Sequence, residues 1–109
     1  MASSTIHINM NDLINKSKEG KTILFIIMFK AEWCAPCKQL MPKFIEFTNE
    51  YPSVKFYSFN IDDDNHKDIV DYFMPSKVPS FYLFKNNQIL NNMNGTNLNT
   101  LGDMIEEFL

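Results

Sequence analysis

Trp33-Cys34-Ala35-Pro36-Cys37-Lys38 holds both cysteines of the chain, two residues apart, between a long apolar run and a stretch with helical periodicity. With Cys34 at the start of that helix and Cys37 one turn later, the two side chains share a face and approach closely enough to be joined without rebuilding the backbone. The pair can be made and broken in place. Unpaired backbone N–H groups and the helix dipole favour negative charge at a helix start, which makes Cys34 the attacking thiolate and Cys37 the resolving thiol. Pro36 suits the first turn, where its missing N–H is not needed and its ring stiffens the dithiol loop. Trp33 sets a flat apolar surface beside the attacking sulfur.

The 109 residues, 45% of them hydrophobic and ten of them phenylalanine, are enough for one core, so a single domain over residues 1–109 is expected. A net charge of −3, with no run of Lys or Arg, offers no footprint for a nucleic acid or an anionic membrane surface. Proteins and small molecules are the expected partners, and the chain is expected to act as a monomer. The longest apolar run, Ile23 to Phe29, is far too short to span a bilayer, and Met1-Ala2-Ser3-Ser4-Thr5 lacks the basic segment of a secretory leader. A cytoplasmic location is therefore expected. Two cysteines make no disulfide scaffold, and a close pair in a reducing compartment reads as redox-active or metal-binding. Zinc takes about four ligands. His7 and His66 are single and distant in the sequence, so no metal site is expected within one chain, leaving only a cluster shared by two chains.

Working outward from the cysteines, Thr22 to Phe29 is almost continuously apolar and rich in β-branched residues, the pattern of a strand buried on both faces of a partly parallel sheet. Before it, Thr5–Ile8 reads as a short first strand, and Asn11–Glu19 as a helix with Leu13 and Ile14 inward, closed by Gly20. After the cysteines, Leu40, Met41, Phe44, Ile45 and Thr48 continue the helical pattern, with a bend expected at Pro42. Val54–Ile61 reads as the next strand, and Asp62–Asn65 as capping residues for a short helix over His66–Phe73, with His66 at its surface. Ser80–Phe84 and Gln88–Asn91 flank Lys85-Asn86-Asn87 as a hairpin in which asparagine tolerates positive φ. Leu98, Leu101, Ile105 and Phe108 give a last helix one apolar face. The expected class is α/β, a central mixed β-sheet of about five strands flanked by about four helices.

Phe29-Lys30-Ala31-Glu32-Trp33-Cys34-Ala35-Pro36-Cys37-Lys38, then Pro42, Asn60-Ile61-Asp62, Val78-Pro79-Ser80 before a strand ending Phe84-Lys85-Asn86, and Gly95 before the last helix form one set of motifs. With these residues the chain resembles the thioredoxin family over essentially its whole length. A C-x-x-C alone would be a weak signal. The Trp before it, the proline five residues after it and the distant Val-Pro make the set specific. The resemblance implies the thioredoxin fold and a cis Pro79 lying against the cysteine pair, exposing the backbone of Val78 to an extended substrate chain. It also implies a shallow groove formed by Trp33, Ala35, Pro36, Ile61, Val78, Pro79 and Gly95, with Cys34 and Cys37 catalytic. The implied activity is the reduction of protein disulfides through a reversible Cys34–Cys37 dithiol. No cofactor need be bound, and electrons are expected from NADPH through a flavin-containing reductase, a thioredoxin reductase.

The departures from the family pattern are specific. The buried carboxylate that members carry before the cysteines falls at Met28, and its partner lysine falls at Ser58. That carboxylate is credited with taking the proton of the resolving thiol, so both halves of a general-base device are replaced together. An apolar Met and a small Ser avoid burying a charge. Asn87 stands for the hairpin glycine, Ala35 for the common glycine between the cysteines, and residues 73–77 before Val78-Pro79 lack glycine. The rival reading of the same residues is a non-catalytic thioredoxin-like module whose groove binds a partner under redox control.

Overall fold

The sequence Phe25-Ile26-Ile27-Met28-Phe29-Lys30 decides the layering, because only a strand covered on both sides can bury so many apolar groups in a row. In the computed structural model, which describes residues 8–109, this segment is strand β1. Around it the chain runs α1 (Met10–Glu19), β1 (Phe25–Lys30), α2 (Ala35–Glu50), β2 (Lys55–Asn60), a short 3₁₀ turn (Asp64–His66), α3 (Lys67–Phe73), β3 (Ser80–Lys85), β4 (Gln88–Asn94) and α4 (Leu98–Phe108). The strands lie in the order β2-β1-β3-β4, with β1 parallel to β2 and antiparallel to β3, and with β3 antiparallel to β4. A parallel pair needs a long crossover, and α2 supplies it. The sheet thus has four strands among the described residues. The strand expected over Thr5–Ile8 lies outside them apart from Ile8, which is buried.

Side chains of β1 alternate between two cores. Ile26 and Met28 join Phe56, Phe81 and Leu83 beneath α2 and α4, where Cys37, Leu40, Phe44, Phe47, Leu101 and Ile105 close the layer. Phe25, Ile27 and Phe29 face the other way, against Leu13 of α1 and Ile69 and Phe73 of α3. The phenylalanines fill the space by edge and tilt contacts, such as Phe44 with Phe56 at 5.6 Å and Phe29 with Phe73 at 5.6 Å between centroids. Each fully buried ring stabilises the fold by about 2 kcal/mol relative to exposure.

Several elements differ from the sequence reading. On α2 the buried stripe is Cys37, Leu40, Phe44 and Phe47, whereas Ile45 is 43% exposed. The helical phase follows the cysteine at the start of the helix, so Ile45 falls on the shoulder and Phe47 on the face. Pro42 lies inside α2, and the helix continues beyond it to Glu50. His66 is buried rather than at the surface, its ring edge-on to Phe59 at 4.8 Å. Gly20 ends α1, but with φ −103°, so left-handed freedom is not what it supplies. It supplies space, since a Cβ there would lie 2.6 Å from Ile23 Cδ1.

The hairpin closes tighter than expected. Lys85 pairs with Gln88, leaving only Asn86 and Asn87 as the turn, at φ 48° and 62°. Two consecutive positive φ values are the geometry that matches strand twist, and asparagine carries it at modest cost. β4 then runs on to Asn94, with Leu90 as an extra residue between the pairs Leu83–Asn91 and Phe84–Ile89. The turn is tied to α1 by Asn87 N, which donates to the buried hydroxyl of Ser17 at 2.7 Å.

Candidate active site

Strand β1 delivers the chain to the cysteines at its C-terminal end. A turn brings it round, with Cys34 N donating to Ala31 O at 3.1 Å, and Cys34 becomes the N-cap of α2 in an extended conformation. Its sulfur accepts from the backbone N–H of Cys37 at 3.3 Å, replacing the oxygen that usually caps a helix. Cys34 and Cys37 are joined as a disulfide, with their Cα atoms 5.3 Å apart. Residues of this type at this spacing close the smallest loop compatible with one helical turn.

Accessibility barely separates the two cysteines, at 4% for Cys34 and 1% for Cys37. What distinguishes them is the helix. Both residues belong to the core cluster beneath α2, but Cys34 is the N-cap, where orphan N–H groups gather, whereas Cys37 lies within the first turn. Ala35 and Pro36 form the exposed outer skin of the first turn. Trp33 is 69% exposed, yet its indole Nε1 donates to Asp62 Oδ2 at 3.0 Å, linking the cysteine loop to the turn after β2.

The remaining residues of the expected groove come from three loops. Ile61 N donates to Lys30 O at 2.9 Å, which sets Ile61 beside the end of β1. The Val78–Pro79 peptide bond is cis, and Pro79 is buried. Ile61 and Val78, both half-buried, pack against the edges of both cores. Gly95 N donates to Pro79 O at 3.0 Å, which ties the β4–α4 turn to the Pro79 loop. Gly95 has φ 100° with no atom within 4 Å of a Cβ position, so backbone conformation rather than crowding calls for glycine.

Below the cysteines, Met28 and Ser58 are register partners across β1 and β2, and both are buried. Their side chains share the face that carries Cys37. No Asp or Glu is buried among the described residues, so no carboxylate stands behind the resolving sulfur. Nor do the described residues contain a cluster of three or more His, Cys, Asp or Glu able to hold a metal ion.

Asp62 is the site residue that sequence reasoning passed over. It was available in Asn60-Ile61-Asp62, but it reads as a helix cap, a task that Asp63 performs by accepting from Asn65 N at 2.9 Å. Asp62 N instead donates to Asn60 Oδ1 at 2.9 Å, which turns its carboxylate toward Trp33.

Comparison with known proteins agrees with this geometry. The family model described as Thioredoxin matches residues 5–107. Thioredoxin-3 of Dictyostelium discoideum is 31% identical over 104 residues, covering 95% of this chain and 96% of that protein. Among solved structures, Fasciola hepatica thioredoxin superposes with a TM-score of 0.83 at 25% identity, covering 93% of this chain and 95% of the other. Schistosoma mansoni thioredoxin superposes with a TM-score of 0.81 at 27% identity, covering 93% and 91%.

Proposed function

The chain belongs to the thioredoxin family and is a thiol–disulfide oxidoreductase that reduces protein disulfides, and from that premise we propose how its residues divide the work. The observation that carries the reading is the Cys34–Cys37 disulfide at the start of α2, directly after Trp33. In the reduced protein Cys34 attacks one sulfur of a substrate disulfide. A bond forms between Cys34 Sγ and that sulfur, and the other substrate sulfur leaves as a thiolate that takes up a proton. Cys37 then attacks Cys34 Sγ, the second substrate sulfur departs, and its negative charge is quenched by the proton Cys37 has lost, directly or through water. Two electrons have passed to the substrate and the Cys34–Cys37 disulfide is restored.

Trp33, Ala35, Pro36, Ile61, Val78, Pro79 and Gly95 form the docking groove in this reading. The backbone of Val78, which precedes β3 and lies outside the ladder, pairs with an extended substrate segment. The dithiol carries both electrons, so no bound cofactor enters the chemistry. Electrons return from NADPH through a flavin-containing thioredoxin reductase, which places the protein in cellular electron transport. The protein works as a single-domain monomer in the cytoplasm, because a dithiol donor has to be kept reduced by its compartment. The test is insulin reduction with dithiothreitol as electron source. Native protein accelerates precipitation of the insulin B chain, and Cys34→Ser abolishes the acceleration. Equal rates for the two would overturn the mechanism.

A further inference from the structure

An open groove of about 570 Å³ runs between the outer face of α2 and the β4–α4 turn, and it starts at Pro36, beside the cysteine pair. The buried Leu40 lies at its floor. Its rim carries Gln39 and Lys43 from α2 and Asn97 and Asn99 from the start of α4, all exposed. Lys43 is the one charged residue lining it, and it forms a solvent-exposed pair with Glu46 at 3.6 Å. Such a pair is weak and easily exchanged.

We infer that this groove receives the substrate chain as it leaves the attacked cysteine, and that it selects a segment bearing a carboxylate about four residues from that cysteine. The inference rests on the reading of Cys34 as the attacking sulfur. Continuity supports it, since Pro36 belongs to both the cysteine loop and the groove. The chemistry of the rim supports it too. An apolar occupant would strip water from three carboxamides and an ammonium without replacing their hydrogen bonds, whereas a carboxylate offers acceptors to all of them. At Trp33, which precedes the cysteines, the exposed carboxylate of Asp62 repels the same group. An acidic segment therefore has one favourable direction in which to lie.

The spacing follows from helix geometry. Pro36 and Lys43 lie on one stripe of α2, about two turns or roughly 10 Å apart along the axis. An extended chain covers that distance in about three residues, and the step from the cysteine to Pro36 adds about one.

The experiment uses peptides of one sequence, each with a single cysteine joined to thionitrobenzoate, so that cleavage by the reduced protein releases colour. The residue four positions before or after the cysteine is Glu, Gln or Lys. On one side of the cysteine the Glu peptide should react about three-fold faster than the Lys peptide at low salt, in second-order rate constant. Added salt should erase the difference. Lys43→Glu should invert the preference, and Asn99→Asp, on the opposite rim, should remove it. Equal rates for Glu and Lys peptides on both sides, or a preference that neither substitution moves, overturns the groove assignment. Failure of the native protein to cleave any peptide, or the small disulfide 5,5′-dithiobis(2-nitrobenzoate), overturns the oxidoreductase reading instead, and the groove assignment with it.

Discussion

Trp33 and Asp62 are bonded across the mouth of the site, indole Nε1 to carboxylate Oδ2 at 3.0 Å, although both side chains are open to solvent. An exposed ring ordinarily samples several rotamers, and ordering it on binding costs free energy. The bond holds the ring in advance. Trp33 is also the single tryptophan of the chain, so its fluorescence reports this contact without interference.

Asp62→Ala should therefore lower the fluorescence anisotropy of Trp33 and raise KM for insulin about two- to five-fold, the effect of one hydrogen bond near the surface. kcat should change little. Asp62→Asn keeps an acceptor oxygen and should restore most of both signals. An alanine variant with native anisotropy and native KM would show that the bond positions nothing.

Met74 closes α3 with φ 51°, a left-handed conformation that costs a non-glycine residue about 1 kcal/mol. Its side chain is 75% exposed, so little packing depends on it. Met74→Gly should release about 1 kcal/mol of strain, of which greater freedom in the unfolded chain takes back about half, leaving a net gain of about 0.5 kcal/mol. In a thermal melt this corresponds to a rise in Tm of roughly 2 °C. An unchanged or lower Tm would contradict the assignment of strain to this position.

The elements legible in the sequence share a simple property: each has a periodicity set by burial. Phe25 to Phe29 reads as a two-faced strand because every side chain is covered, and Leu98, Leu101 and Ile105 read as a helix face because only one side is. The cysteine pair and its helix were legible for a different reason, the chemical identity of Trp33, Pro36 and Pro79. What escaped was set by tertiary contact. His66 is polar in type and flanked by polar residues, and only its packing on Phe59 buries it. The end of β4 escaped because Asn91, Asn92 and Asn94 are exposed, so that segment is held by its pairing with β3 rather than by an apolar pattern. Trp33 and Asp62 come from separate elements, and no local rule joins them.

Met28→Asp tests the site behind the resolving sulfur. A carboxylate at a fully buried position faces a desolvation penalty, so the variant should be destabilised by about 2–4 kcal/mol near neutral pH. Burial raises the carboxyl's pKa above its unfolded value, so the penalty should shrink as pH falls and the group is protonated. If the fold survives, the new base should speed closure of the Cys34–Cys37 disulfide from a mixed disulfide, measured in a single turnover. A folded variant that closes no faster would show that proton removal from Cys37 does not limit that step.

Alkaline stability is set partly by tyrosines. Tyr51 donates its hydroxyl to Glu106 Oε2 at 2.8 Å, and this bond, followed by burial and nearby carboxylates, raises its pKa above the usual value. Burial raises Tyr57 and Tyr82 as well. The folded state therefore holds these protons more tightly than the unfolded chain. Their contribution is complete below about pH 10, the ordinary tyrosine value, and is lost as pH rises through the higher folded values. Urea midpoints should fall above pH 10, and Tyr51→Phe should make the fall shallower while lowering the plateau at neutral pH. A variant whose decline is as steep as the native one would remove Tyr51 from this account.

The supernumerary Leu90 also bears on how molecules of this protein behave toward one another. β4 forms one margin of the sheet and carries neither a charge nor a proline from Gln88 to Asn94. Nothing in its side chains would repel a strand from a second molecule. The kink that Leu90 introduces breaks the even spacing of outward N–H and C=O groups, so an incoming strand can match only part of the margin. That misfit residue thereby opposes edge-to-edge pairing of β4 between two molecules.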